Sequence, residues 1–111
     1  MINLTKKPEH LRNGYKDPKR LARLHDLPCV VCEKMGIEQT TRTEAHHLIG
    51  YGIGKKASDA LTIPLCSKHH ARGNRGDAIH ETPLRQWESV FGTQEELLEK
   101  TNKKLKLIVD T

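Results

Sequence analysis

The chain is poor in the residues that build a large core. Its 111 residues include one Trp, one Phe and two Tyr, and only 35% are hydrophobic. So few large side chains exclude a core that holds itself together by bulk alone. Small domains of this kind are commonly stapled by a disulfide or a structural metal. Cysteine is scarce as well: Cys29, Cys32 and Cys66 make three, and an odd number does not form a closed disulfide set. No apolar run approaches membrane-spanning length, and the opening "MINLTKKPEH" is polar and basic, unlike a signal segment. Internal repeats and low-complexity tracts are also missing. Together these absences predict one soluble domain of ordinary size in the reducing cytoplasm, with no membrane partner, where cysteines more often bind metal than pair.

What is present begins with charge. The net charge is +5, and it is unevenly placed. Lys6, Lys7, Arg12, Lys16, Lys19, Arg20 and Arg23 face only Glu9, Asp17 and Asp26 in the first 28 residues, and the centre adds Arg42, Lys55, Lys56, Lys68, Arg72 and Arg75 against Glu44 and Asp59. The last third is nearly balanced. Net charge alone is explained well enough by solubility, but a basic front and a neutral back suit a polyanion such as DNA. Candidate phosphate contacts are Lys6, Lys7, Lys16, Lys19, Arg20, Arg23, Lys55, Lys56, Lys68, Arg72 and Arg75.

The local patterns predict an α+β chain. Residues 1–16 read as a loose arm broken by Pro8 and Gly14. In "DPKRLARLHDL", Asp17 is an N-cap, Pro18 takes the first helical position, and Leu21 and Leu24 share a face. Residues 1–26 therefore form a basic arm with a short helix, and 27–111 the main domain. "PCVVCEKMG" reads as a tight cysteine turn, "RTEAHHLIG" as a strand, "YGIGKKASD" as a glycine and lysine loop, and "ALTIPL" as a second strand with Pro64 near its end, hence at an edge. "CSKHHARG" turns into a helix and "NRGDAIHE" is a loop. Thr82 and Pro83 are expected to start a helix carrying Leu84, Trp87 and Phe91, which Gly92 stops. Thr93 and Glu96 then form a capping box for a last helix with Leu97, Leu98, Leu105, Ile108 and Val109 inward. This helical pair is expected to be structural, with no chemistry of its own.

Two metal sites follow from the Cys and His spacing. The CxxC at 29–32 and the CxxH at 66–69 supply four soft or borderline ligands, the set zinc takes in closed structural sites. Cys29, Cys32, Cys66 and His69 are the expected ligands, with His70 as an alternative fourth; three buried free cysteines are the plainer reading, which the spacing disfavours. Histidine doublets at 46–47 and 69–70 cannot easily aim both rings at one ion, because neighbours diverge on strand and helix alike. They can divide their rings between two tasks. The economical arrangement places His46 and His70 on a second, open metal, with His47 beside it as a general base. His10 and His25 lie outside this pattern; His80 could be a further ligand to the second metal, though "DAIHET" reads rather as a loop turning into the next helix.

The residues "AHHLIG" and "LTIPLCSKHH", with "CVVC" upstream, resemble an HNH nuclease of the ββα-metal class in its zinc-stapled, treble-clef-like form. The ending "FGTQEELLEKTNKKL" brings the likeness closest to the Ref family of phage recombination-enhancement nucleases, which cut DNA with the help of RecA. The resemblance runs from about Leu27 to Leu105. It implies a DNA endonuclease in a bacterial host, with His46 and His70 as ligands of a catalytic divalent metal and His47 as general base. The middle Asn of the HNH pattern has no clear counterpart; Asp59 is the nearest polar candidate for its orienting role, and Asn74 falls too late. A His where many HNH enzymes have Asp makes the site less hard, so nickel or zinc stand beside magnesium and manganese as candidates. The RecA filament is implied as a partner by the resemblance alone. A different class, a zinc-stabilised DNA-binding module without catalysis, would use the same zinc site and basic surface but would not need His46 and His70.

Overall fold

The computed structural model describes residues 8–51 and 57–110, with the side chains of 108–110 outside the description. Its centre is a two-stranded antiparallel sheet made by β1 (Thr43–His47) and β2 (Thr62–Cys66), in register from Thr43 opposite Cys66 to His47 opposite Thr62. Every residue of β2 is buried, whereas in β1 only Thr43 and His46 are, with Glu44, Ala45 and His47 half-buried. Pro64 sits at the middle of β2, opposite Ala45, rather than near its end. A two-stranded ribbon has only edge strands, so the missing N–H can face away from the partner.

Helix α1 (Pro18–His25) forms as its sequence dictates: the Asp17 side chain accepts from the Arg20 N–H, and Pro18 opens the first turn. It packs on β1 and β2, and Leu24 joins Leu27 and Leu105 in a small buried cluster against which Ala45 rests. The expectation of a loose arm through residue 16 fails from Pro8 onward. Leu11 packs on the main core, the Ser58 hydroxyl donates to the His10 carbonyl, and the Asp59 N–H donates to the Tyr15 carbonyl at 3.0 Å.

The expected cysteine turn is the start of a helix. Cys29 is the N-cap of α2 (Val30–Met35), and Gly36, at φ 67°, ends it in the left-handed conformation. Chain β2 runs directly into the four-residue α3 (Ser67–His70). The segment expected to be a loop contains a 3-10 turn at Ile79–Glu81. Helix α4 (Leu84–Phe91) begins after Pro83, not at it, because the Thr82 hydroxyl is engaged elsewhere: it donates to the Ala78 carbonyl and accepts from the Gly76 N–H. Gly92 ends α4, and α5 (Gln94–Asp110) starts with the Thr93 hydroxyl accepting from the Glu96 N–H at 3.1 Å. Trp87, Phe91 and Leu97 close the main core over Ile63, Leu65 and the three cysteines. Side-chain positions of Ile108 and Val109 lie outside the described residues.

Candidate active site

Four consecutive residues of α3 are shared among different neighbours. His69 is buried and turns toward the cysteines: its Nδ1 lies 3.8 Å from Cys29 Sγ, 3.6 Å from Cys32 Sγ and 3.2 Å from Cys66 Sγ, with Cys32 and Cys66 sulfurs 3.8 Å apart. Donors at zinc bond lengths in a tetrahedron stand roughly 3.5–3.8 Å apart. The donor set and its spacing therefore fit a structural metal ion held by Cys29, Cys32, Cys66 and His69. His69, not His70, is the fourth member. All three cysteines are free and buried, and burial raises the Cys29 and Cys32 thiols above their ordinary range. A coordinated dication reverses that preference by deprotonating the thiols it binds. The framework around the cluster is well tied: Gln39 accepts from the Cys29 N–H at 2.7 Å, and its amide donates to the Thr41 carbonyl and the Thr43 hydroxyl.

His70 turns the other way, into a second cluster. His46, His70 and His80 each offer a ring nitrogen, and the three nitrogens lie within 4.8 Å of one another. Ring centroids are 5.1 Å apart for His46 and His70, 5.2 Å for His46 and His80, and 4.9 Å for His70 and His80. His46 and His70 meet as expected. His80 is the third ring, which its sequence context does not reveal. The 3-10 turn at Ile79–Glu81 presents it, and Ile79, fully inside the core, anchors that turn.

The outer partners of these rings fix which nitrogens face inward. His46 is 1% exposed, and its Nε2 donates to Gln94 Oε1 at 3.1 Å. That amide cannot be turned around: Oε1 also accepts from the Ile49 N–H at 2.8 Å, while Nε2 donates to the Ile49 carbonyl at 3.0 Å. His46 Nδ1 is left buried with no hydrogen-bond partner among the described residues. A buried imidazole nitrogen without a donor nearby is unfavourable unless something electropositive completes it. His70 donates through Nδ1 to Glu44 Oε1 at 2.9 Å, which leaves its Nε2 as the free nitrogen. A carboxylate or amide behind a ligating His is the usual outer arrangement of a metal site. Burial, followed by the neighbouring imidazoles, pushes His46 down to about 3, and burial likewise lowers His80. Both rings are thus neutral, the state in which imidazole binds metal. Hydrogen bonding to His70 lowers the Glu44 carboxyl. The donor set and the orphaned His46 nitrogen fit a divalent ion.

His47 follows His46 on β1 and so points to the opposite face. Its ring is 38% exposed, and Nε2 lies 2.8 Å from Asp59 Oδ1. Asp59 is itself held, accepting from the Asp17 N–H at 2.8 Å through its other oxygen. With Nε2–H donating to the carboxylate, His47 Nδ1 carries the lone pair on a ring that is partly exposed. Asp59, the nearest polar candidate in the sequence, is thus the residue that contacts the His47 ring. The imidazole cluster joins His46 to His70 and His80 and does not include His47, whose ring is held by Asp59 instead.

Comparison with known proteins adds the family. A profile described as "Protein of unknown function (DUF968)" matches residues 4–107. The chain belongs to the DUF968 family. The DUF968 chain is 30% identical over 109 residues to "Uncharacterized protein YdfU" of Escherichia coli (strain K12), across 88% of its own length. It spans 28% of the length of that relative. No solved structure matches it. Both His and Cys clusters, with Glu44, His47, Asp59 and Gln94, lie inside the family match.

The basic residues are distributed unevenly around these sites in the DUF968 chain. Lys16, Lys19, Arg23, Lys68, Arg72 and Arg75 are exposed. Arg20 is half-buried, and its guanidinium donates to the Thr62 hydroxyl at 2.8 Å and the Thr62 carbonyl at 2.7 Å. Lys6, Lys7, Lys55 and Lys56 lie outside the described residues. No helix among the described residues is long and apolar enough to cross a membrane.

Proposed function

We propose that this chain is a metal-dependent DNA endonuclease of the HNH, ββα-metal type. It hydrolyses phosphodiester bonds in the cytoplasm of a bacterial host, in phage or prophage recombination, with RecA as the partner that the Ref resemblance implies. The observation that carries this reading is the pairing of two arrangements at the end of one strand: three imidazoles converging around the orphaned Nδ1 of His46, and a solvent-facing His47 held by Asp59. The order β1, loop, β2, α3, with ligands on β1 and α3, supports the ββα assignment.

In this reading zinc occupies the Cys29, Cys32, Cys66 and His69 site and staples a thin core. His46, His70 and His80 would hold the catalytic divalent ion, which supplies charge stabilisation at the phosphate and the leaving oxygen. Three nitrogen donors form a softer site than carboxylates, so manganese, nickel or zinc suit it better than magnesium. His47 accepts a proton at Nδ1 from the attacking water. Asp59 fixes the ring's tautomer and stabilises the imidazolium that forms. Gln94 and Glu44 keep His46 and His70 aimed at the shared centre. Lys16, Lys19, Arg23, Lys68, Arg72 and Arg75 are exposed and available to DNA phosphates, contacts that give affinity without reading sequence.

The test is cleavage of single-stranded, duplex and RecA-coated DNA by zinc-loaded protein across a series of Mg²⁺, Mn²⁺, Ni²⁺ and Zn²⁺. Cutting is expected in at least one metal, and His47→Ala should reduce it by about 10²–10⁴-fold with zinc content unchanged. Wild-type protein that binds DNA but cuts none of these substrates in any metal would overturn the nuclease reading in favour of a zinc-stabilised binding module.

A further inference from the structure

The face of α3 that serves neither metal cluster borders a basic groove. The groove, of about 550 Å³, is lined by Thr41, Arg42, Ser67, Lys68, Arg72 and Asn74 together with Thr40 and Gly73. Its lining holds three cations, several hydroxyl and amide groups, and no acid. Its walls are built from main chain rather than from the basic side chains. The Ser67 N–H donates to the Arg42 carbonyl at 3.0 Å, the Arg72 N–H to the Ser67 carbonyl at 2.8 Å, and the Lys68 N–H to the Thr41 hydroxyl at 3.2 Å. Gly73 completes the bend: a Cβ there would lie 2.0 Å from the Lys68 carbonyl oxygen, so any side chain would push residues 72–74 off α3. Three cations from separate segments are thereby held around one concavity. The same helix carries His70 into the imidazole cluster, and Arg72 is near enough to Glu44, the partner of His70, to act on its charge.

Resting on the nuclease reading above, we propose that this groove seats a backbone phosphate of the nucleic acid, flanking the phosphate offered to the imidazole cluster. Arg42 and Arg72 supply planar, multiply donating guanidinium groups suited to phosphate oxygens, and Lys68 adds a point charge. Arg42 is the member of this set that its position just before β1 does not reveal in the sequence. The groove would fix the register of the strand across α3 and so determine which phosphodiester reaches His47.

The test uses full-length, zinc-loaded protein carrying His47→Ala, so that nothing is cut, and fluorescein-labelled DNA titrated at several salt concentrations. Adding Arg42→Gln with Arg72→Gln should weaken binding roughly tenfold and flatten the dependence of log K on log salt by about 2, and Lys68→Gln alone by about 1. Zinc content and circular dichroism should be unchanged, since none of these wall contacts uses a basic side chain. A control pair on α5, Lys100→Gln with Lys106→Gln, should leave the slope as it was. The groove assignment is overturned if the arginine pair leaves the slope intact or if the control lowers it equally. Failure of the His47→Ala protein to bind any DNA removes the underlying reading as well.

Discussion

Replacing Gln94 by Leu tests how the His46 ring is held. The two side chains are similar in volume, so the change leaves little cavity and acts through hydrogen bonds. Three groups lose their partner: His46 Nε2–H, the Ile49 N–H and the Ile49 carbonyl. His46 is 1% exposed and cannot find water, whereas Ile49 is half-buried and can recover part of the loss. At about 1–3 kcal/mol for a fully buried orphan and less for the other two, the cost is about 2–4 kcal/mol. That is a large share of the stability of a domain this size and should lower the melting temperature by about 8–16 °C. The more diagnostic effect is on metal. Without an acceptor at Nε2, His46 is free to carry its proton on Nδ1, the nitrogen that faces His70 and His80. Affinity for the second ion should therefore fall about 10–100-fold, the range found when an outer partner of a ligating His is removed. Gln94→Glu keeps the acceptor and should keep the affinity. Calorimetric titration of Mn²⁺ and Zn²⁺ into protein with its cysteine site filled reads this directly. A folded Leu variant that binds the second ion as tightly as wild type would show that the tautomer argument is wrong.

Other outcomes can be checked alongside it. His80→Ala should leave the cysteine-site zinc in place and weaken the second ion by at least about 100-fold, measured by the same titration, because a direct ligand matters more than an outer one. Cys32→Ser should lose the first zinc, and because such a site contributes folding free energy on the order of 10 kcal/mol, the circular dichroism spectrum should show an unfolded chain at ambient temperature. Asp59→Asn should preserve the fold but let His47 adopt the other tautomer, lowering cleavage by at least about tenfold; nitrogen NMR of the His47 ring should report the altered protonation pattern. Trp87→Ala, at a fully buried residue whose Nε1 donates to the Asp77 carbonyl at 2.9 Å, should cost about 3–5 kcal/mol in urea unfolding.

The cysteine cluster was legible because its information is local. Two-residue spacings in each half bring the ligands together whatever the rest of the chain does, and the doublets report their own division of labour through strand and helix geometry. The third imidazole is different. His80 lies in a loop that the burial of Ile79 and the hydroxyl bonds of Thr82 help bend back toward α3, and no periodicity records that. Gln94 is a similar case. It sits between the Thr93 cap and an acidic first turn, where a Gln looks like an ordinary helix-start residue, yet it is 1% exposed and holds both His46 in β1 and the main chain of Ile49 just beyond it. A polar residue inside a capping sequence signals its cap and hides its tertiary role. Thr82 misled in the opposite sense: Thr before Pro has the composition of an N-cap, but its hydroxyl is used within the preceding loop, so the helix begins later. The contact between Asp59 and His47 was easier to anticipate, because Asp59 is the only acid between His47 and Thr62 in the sequence.

The single turn of helix from Ser67 to His70 works like a four-position index, with each successive residue assigned its own neighbour by a rotation of about 100°. Point substitutions can retune any one assignment. Gaining one residue before it would instead shift the whole index, so that Lys68 would confront the thiols and His69 the imidazoles; losing one would shift it the other way and bring His70 to the thiols. Length, more than composition, is what this stretch must hold constant as the sequence drifts.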